Sequence, residues 1–141
     1  MSTVYLSCIC KSGIMSAVVF KNGACISKKI SEVKKTTDSK NQYLDTIDVY
    51  TTGFKLLRNV VERDSDISHV IIECNNSAFL SWVMRGNSLD KYIDEFYPMM
   101  EILDEVPVTY ECIYSKDIKA KLYAKPKYVE KEKLSGVLDF M

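Results

Sequence analysis

Three carboxylates and two neighbouring amides are the residues on which hydrolytic chemistry would be built. Asp45 and Asp48 stand three apart in DTIDV, a spacing that puts both on one side of a helix. Glu73 precedes Asn75 by two in HVIIECNNSAFLSW, where an apolar strand stops at Asn75 and Asn76 and turns into a helix. Many α/β enzymes keep a catalytic carboxylate at such a corner; here amides stand in its place. Carboxylate oxygens hold a divalent cation such as magnesium or manganese, and a site relocated onto Asp45, Asp48 and Glu73 is one reading. Strand rise limits it, because Glu73 lies about 6–7 Å behind Asn75 and its longer side chain recovers only part of that distance. The plain alternative is two solvated helix charges and a glutamate paired locally.

Other chemistries have less to build on. Cys8, Cys10, Cys25, Cys74 and Cys112 are an odd count without paired zinc spacing, and four of them lie in apolar runs. They read as reduced, buried thiols. The single histidine, His69, reads as a strand-edge residue. Phosphate-binding glycine loops and Ser/His/Asp constellations are absent. No cofactor is expected; magnesium or manganese enters only with a nuclease reading.

The elements that must position these residues fit in 141 residues, the size of one domain. The expected division is a domain over 1–124 and a basic tail over 125–141 with an apolar end. No apolar run is long enough to span a bilayer, and MSTVYLSCICKSG lacks the pattern of a secretory signal, so the expected setting is cytoplasmic, away from membranes. A net charge of zero hides a division. Residues 1–40 carry seven basic against two acidic side chains, residues 41–106 five against twelve, and residues 107–141 seven against five. A nucleic-acid site is therefore a local patch from the ends of the chain: Lys28, Lys29, Lys34, Lys35, Lys125 and Lys127, with Tyr123 and Tyr128 for stacking.

Along the chain, VYLSCIC (4–10) and IMSAVVF (14–20) have strand composition, and Asn22-Gly23 favours a tight hairpin into a third strand over 24–33. Asp38 or Ser39 caps a helix whose apolar face is Tyr43, Ile47, Tyr50, Phe54, Leu57 and Val61. Gly53 inside it marks close packing on the sheet. HVIIEC is the fourth strand. A short helix capped by Ser77 ends at Gly86, and Asn87 or Ser88 caps the next, with Leu89, Ile93, Phe96, Met100 and Leu103 inward, Pro98 bending it, and acids outward. Trp82, Met99 and Met100 read as core. VTYECIY is the fifth strand, and a helix over 117–124 ends at Pro126.

This order resembles the ribonuclease H fold over about residues 4–124: an α/β domain with a mixed five-stranded sheet, three antiparallel hairpin strands followed by strands four and five, flanked by helices. SKNQYLDTIDVYTTGFKLL is similar to the family's first helix and places Asp45 at a metal-ligating glutamate; VIIECNNSAFLSWV is similar to its fourth strand and places Asn75 at a ligating aspartate. The resemblance implies a two-cation nuclease, and the chain departs from it. Cys8 stands where the central aspartate of the first strand belongs, no acid precedes Glu32, and Asp117 is the only residual acid near the last ligand.

The vestigial positions are thus Cys8, Asp45 and Asn75, with Asp48 and Glu73 as substitutes. Three functions follow. A non-catalytic binding module working as a protein-interaction adaptor is favoured, using the acidic helix face and the terminal residues Leu138, Phe140 and Met141, which dock a partner or self-associate. A nucleic-acid-binding protein using the lysine patch is the first alternative. A nuclease or junction resolvase with relocated ligands is the second.

Overall fold

Short-range alternation and glycine-bearing turns produce an antiparallel meander at the start of the chain: β1 (Ser2–Lys11), β2 (Ile14–Lys21) and β3 (Ala24–Glu32). The computed structural model describes residues 1–33 and 42–129. Both hairpins turn on paired residues with positive φ, Ser12-Gly13 at 54° and 78° and Asn22-Gly23 at 53° and 80°, the twist that matches right-handed strands. Helix α1 (Gln42–Arg63) follows, then β4 (Ile67–Cys74), α2 (Ser77–Arg85), a 3₁₀ turn at Asp90–Tyr92 running into α3 (Ile93–Asp104), and β5 (Thr109–Tyr114). The strands form one mixed sheet in the order β3-β2-β1-β4-β5, with β4 parallel to both β1 and β5. This is the expected sheet.

The sheet separates two unequal layers. Val4, Leu6 and Cys8 point to the face covered by α1, α2 and α3, where Ile47, Tyr50, Phe54, Leu57, Trp82, Phe96, Met99, Met100 and Leu103 complete the main core. Tyr5, Ser7 and Ile9 point to the other face, because successive strand side chains alternate. There Ile9, Val18 and Phe20 pack on Ile118 and Ala120 of the last segment, which holds a 3₁₀ stretch at Lys119–Tyr123 and a second at Pro126–Tyr128. The helix expected over 117–124 is thus a 3₁₀ segment. Tyr128 continues that layer, 5.2 Å from the Tyr123 ring.

Three local expectations are corrected. Asn76, not Ser77, is the N-cap of α2: its Oδ1 accepts from the backbone N–H of Phe79 at 3.0 Å, which satisfies a helix-end donor. The helix after Gly86 begins at the 3₁₀ turn, with Leu89 as an uncapped N-cap. Leu89 itself is half exposed. The Asp38 or Ser39 cap lies outside the described residues. Gly86 closes α2 as expected, at φ 73° with its N–H on Trp82 and Val83 carbonyls.

Candidate functional site

Parallel pairing of β1 with β4 brings the C-terminal ends of both strands to one edge of the domain, and the chain leaves them in opposite directions across the sheet, β1 toward β2 and β4 toward β5. A crevice at such a divergence is the usual ligand position in open α/β sheets. Here it is a cavity of about 400 Å³. Its walls are Cys8, Cys10 and Lys11 from β1, Gln42, Asp45 and Tyr50 from α1, Asn75 and Asn76 from the β4–α2 turn, and Lys121 from the closing 3₁₀ segment. The structure therefore brings together Cys8, Asp45 and Asn75, the three positions that the sequence resemblance aligns with metal ligands.

Their surroundings differ. Cys8 is buried, and desolvation, with the neighbouring Cys74 thiol, pushes its own thiol well above the ordinary range. Cys10, two residues along the same face and partly exposed, lies closer to the carboxylates. Burial, then Asp45 and Asp48, push it up to about 11. Period-two alternation gives a face and not a depth, so the sequence does not distinguish Cys10 from the buried thiols. Asp45, in the first turn of α1, is partly buried, and its carboxyl is raised first by desolvation and then by the Asp48 charge. Asp48 is exposed. Tyr50 closes the cavity floor, its hydroxyl donating to the Cys8 carbonyl at 3.1 Å and lying against the Glu73 carbonyl.

Glu73 does not join Asp45 and Asp48. Its partner across the β1–β4 seam is Ser7, whose neighbours along β1 place it on the face opposite α1. There the Glu73 carboxylate is buried and Oε1 accepts from the Ser7 hydroxyl at 3.1 Å and from the Lys119 backbone N–H at 2.9 Å. Same-face spacing with Asn75 fails because β4 ends at Cys74.

The cavity residues do not fit a pair of magnesium ions. Magnesium takes hard oxygen ligands, carboxylates chief among them. Among the described residues Asp45 is the one carboxylate in the cavity wall; the other polar groups are protonated thiols, hydroxyls, amides and two ammonium groups. Among the described residues no group of three or more His, Cys, Asp or Glu is arranged to hold a metal ion.

The proposed lysine patch divides. Lys28 pairs with Val18 and Lys29 with Ala17, so the two point to opposite faces of the sheet. The Lys28 ammonium lies 5.9 Å from the Tyr123 ring, and that of Lys127 lies 5.0 Å from Tyr128. Lys125 is exposed. Lys119, overlooked in the sequence, sits 4.4 Å from the Tyr5 ring and 5.3 Å from Phe20. Lys34, Lys35, Leu138, Phe140 and Met141 lie outside the described residues. His69 is a strand residue, its ring nitrogens 2.7 Å from Thr109 Oγ1 and 2.9 Å from Glu111 Oε2.

A mixed sheet in this order, with α1 on one face and a strand-end cavity beside its first turn, defines a ribonuclease H-like fold. Solved structures of that class match nearly the whole chain. They include the ribonuclease H1 of the halophilic archaeon Halobacterium salinarum (TM-score 0.60, 7% identity, 96% of this chain and 98% of that one). The N-terminal ribonuclease H domain of Rv2228c from Mycobacterium tuberculosis matches with TM-score 0.67 and 5% identity, over 96% and 99%. LC11-RNase H1, solved in complex with an RNA/DNA hybrid, matches with TM-score 0.63 and 11% identity, over 98% and 99%. No family model and no curated protein matches the sequence. No helix among the described residues is long and apolar enough to cross a membrane.

Proposed function

We propose that this chain is a ribonuclease H-like module that binds nucleic acid and does not hydrolyse it. The observation that supports this reading is the cluster of ammonium groups over aromatic rings on the face opposite α1. The exposed acids of α3 (Asp94, Glu95, Glu101 and Asp104) lie on the helical side, whereas Lys28, Lys119 and Lys127 lie over aromatic rings on the opposite side. Ammonium groups interleaved with tyrosines suit a strand that offers phosphates and base faces. The absence of hydrolysis rests on the donor set: thiols, amides and lysines around Asp45 do not supply the charge that two cations need.

Fluorescence anisotropy with labelled single strands, duplexes and RNA/DNA hybrids tests binding. The expected affinity falls steeply between about 50 and 200 mM salt, as counterion release requires. No binding, or binding indifferent to salt, overturns the reading. Cleavage of any of these substrates with added magnesium or manganese, abolished by Asp45→Asn, would instead establish the nuclease alternative.

A second reading, a protein-interaction adaptor, draws on the acidic exposed face of α3 and on Tyr97, which is 45% exposed beside it. Its occupant is a basic protein surface, and neutralising Asp94, Glu95 and Glu101 together would abolish that association while leaving nucleic-acid binding intact. A cytoplasmic setting accords with either reading.

A further inference from the structure

We propose that the strand-end cavity seats a phosphate of the bound strand without a metal ion, on the ammonium groups of Lys11 and Lys121, and that Glu73 is the positioning residue that keeps Lys121 there. The inference deepens the nucleic-acid reading and rests on it.

The two lysines reach the cavity from different elements. Lys11 ends β1, and Lys121 comes from the 3₁₀ segment that crosses the sheet on the face opposite α1. Among the described residues neither ammonium makes an ion pair, so both are available to an anion. Gln42 and Asn75 add amide donors to the wall, which the first two turns of α1 and the N-cap of α2 also line. Asp45, on the α1 side, repels a phosphate toward the lysines. Its own accepting oxygens face what accompanies a phosphate in a strand, a sugar hydroxyl or a base N–H. A cavity of about 400 Å³ is within the range that takes a small ligand group of this kind.

Lys121 is held by a polar latch beneath its own segment. Glu73 Oε1 accepts from the Lys119 N–H at 2.9 Å and from the Ser7 hydroxyl at 3.1 Å, and Ser7 Oγ in turn accepts from the Ala120 N–H at 2.9 Å. Two successive backbone donors are thus fixed to β1 and β4 immediately before Lys121. A buried carboxylate that is costly to desolvate is retained here, and its polar partners belong to the segment that delivers the cation. The latch thus fixes the backbone from which the Lys121 side chain lines the cavity.

Anisotropy with a labelled single-stranded oligonucleotide, in EDTA and in magnesium, tests this on the full chain. Magnesium should not strengthen binding, and as a competing counterion it should weaken it somewhat. Lys121→Met should weaken it at least roughly tenfold, the scale of one charge-assisted hydrogen bond, and flatten the salt dependence by about one phosphate contact. Glu73→Ala should lose as much and add nothing to Lys121→Met, whereas Glu73→Gln, whose carbonyl still accepts both donors, should restore binding. Binding that requires magnesium, or is tightened by it, overturns the metal-free seat. Unchanged binding in Lys11→Met and Lys121→Met, with loss in Lys28→Met, Lys119→Met and Lys127→Met, overturns the site while leaving nucleic-acid binding standing. No binding by the unaltered chain removes the underlying reading itself. Where Glu73→Ala does not fold, Ser7→Ala tests the same latch from its other end.

Discussion

Gly53 of α1 lies directly over Cys8 of β1: a side-chain carbon at Gly53 would come within 2.5 Å of the Cys8 sulfur and 3.1 Å of Leu6. A helix-interior glycine costs about 1 kcal/mol against alanine, so the close approach of helix to sheet explains why it stands there. Gly53→Ala is expected to destabilise the fold by about 1–3 kcal/mol despite its better helix propensity, because overpacking outweighs propensity. Urea denaturation measures it, and adding Cys8→Ala should recover part of the loss. A more stable Gly53→Ala protein would contradict the packing.

Asp45 is held at the cavity against the preference of its charge. Desolvation, and then Asp48, raise its carboxyl above the ordinary value in the folded state. The folded chain therefore binds that proton more tightly than the unfolded chain. The penalty is absent at pH below the unfolded value, grows as pH rises through the carboxylate range, and is complete above the folded value. Asp45→Asn should raise the melting temperature at neutral pH, with the gain closing on acidification. An equal melting temperature at pH 7 would show that the carboxylate is simply solvated.

Cys10, at about 11, stays a neutral thiol at physiological pH, first because of burial and then because of Asp45 and Asp48. Its alkylation by iodoacetamide, followed by mass spectrometry, should be slow at neutral pH and quicken as pH approaches that value. Replacing both aspartates by asparagine should speed the reaction at a given pH. If their removal changes nothing, the thiol does not feel the two charges.

Metal binding is expected to be restored by changing the donor set within the same fold. Cys10→Asp combined with Asn75→Asp would put two further carboxylates in the wall that Asp45 already lines. Calorimetric titration with manganese should give measurable binding for the double variant and none for the unaltered chain. Equal binding by both would show that the donor set does not limit metal binding.

Much of this molecule is local and was legible. The Asn22-Gly23 hairpin, the stop at Gly86 and the stripe from Ile47 to Val61 follow from turn geometry and helical period within a few residues. The Asn75-Asn76 corner was legible in kind and misread in detail: one amide caps α2 through Phe79, and the other lies exposed in the cavity wall. Strand periodicity assigned Cys8 and Cys10 to one face without ranking their depth, which depends on how closely α1 approaches at Gly53.

The sequence by itself determined most of the elements, their order, and the absence of acidic residues from the first strand. Only the tertiary structure decided which charges meet. Glu73 faces away from Asp45 because its partner Ser7, 66 residues earlier, faces away from α1. Lys121 enters the cavity because its neighbour Ala120 is bonded to that same serine, 113 residues distant. Residue spacing carries side-chain direction only within one element. Across a parallel seam and a strap that closes over it, direction is set by strand register and buried hydrogen bonds, which form only when the whole chain has folded.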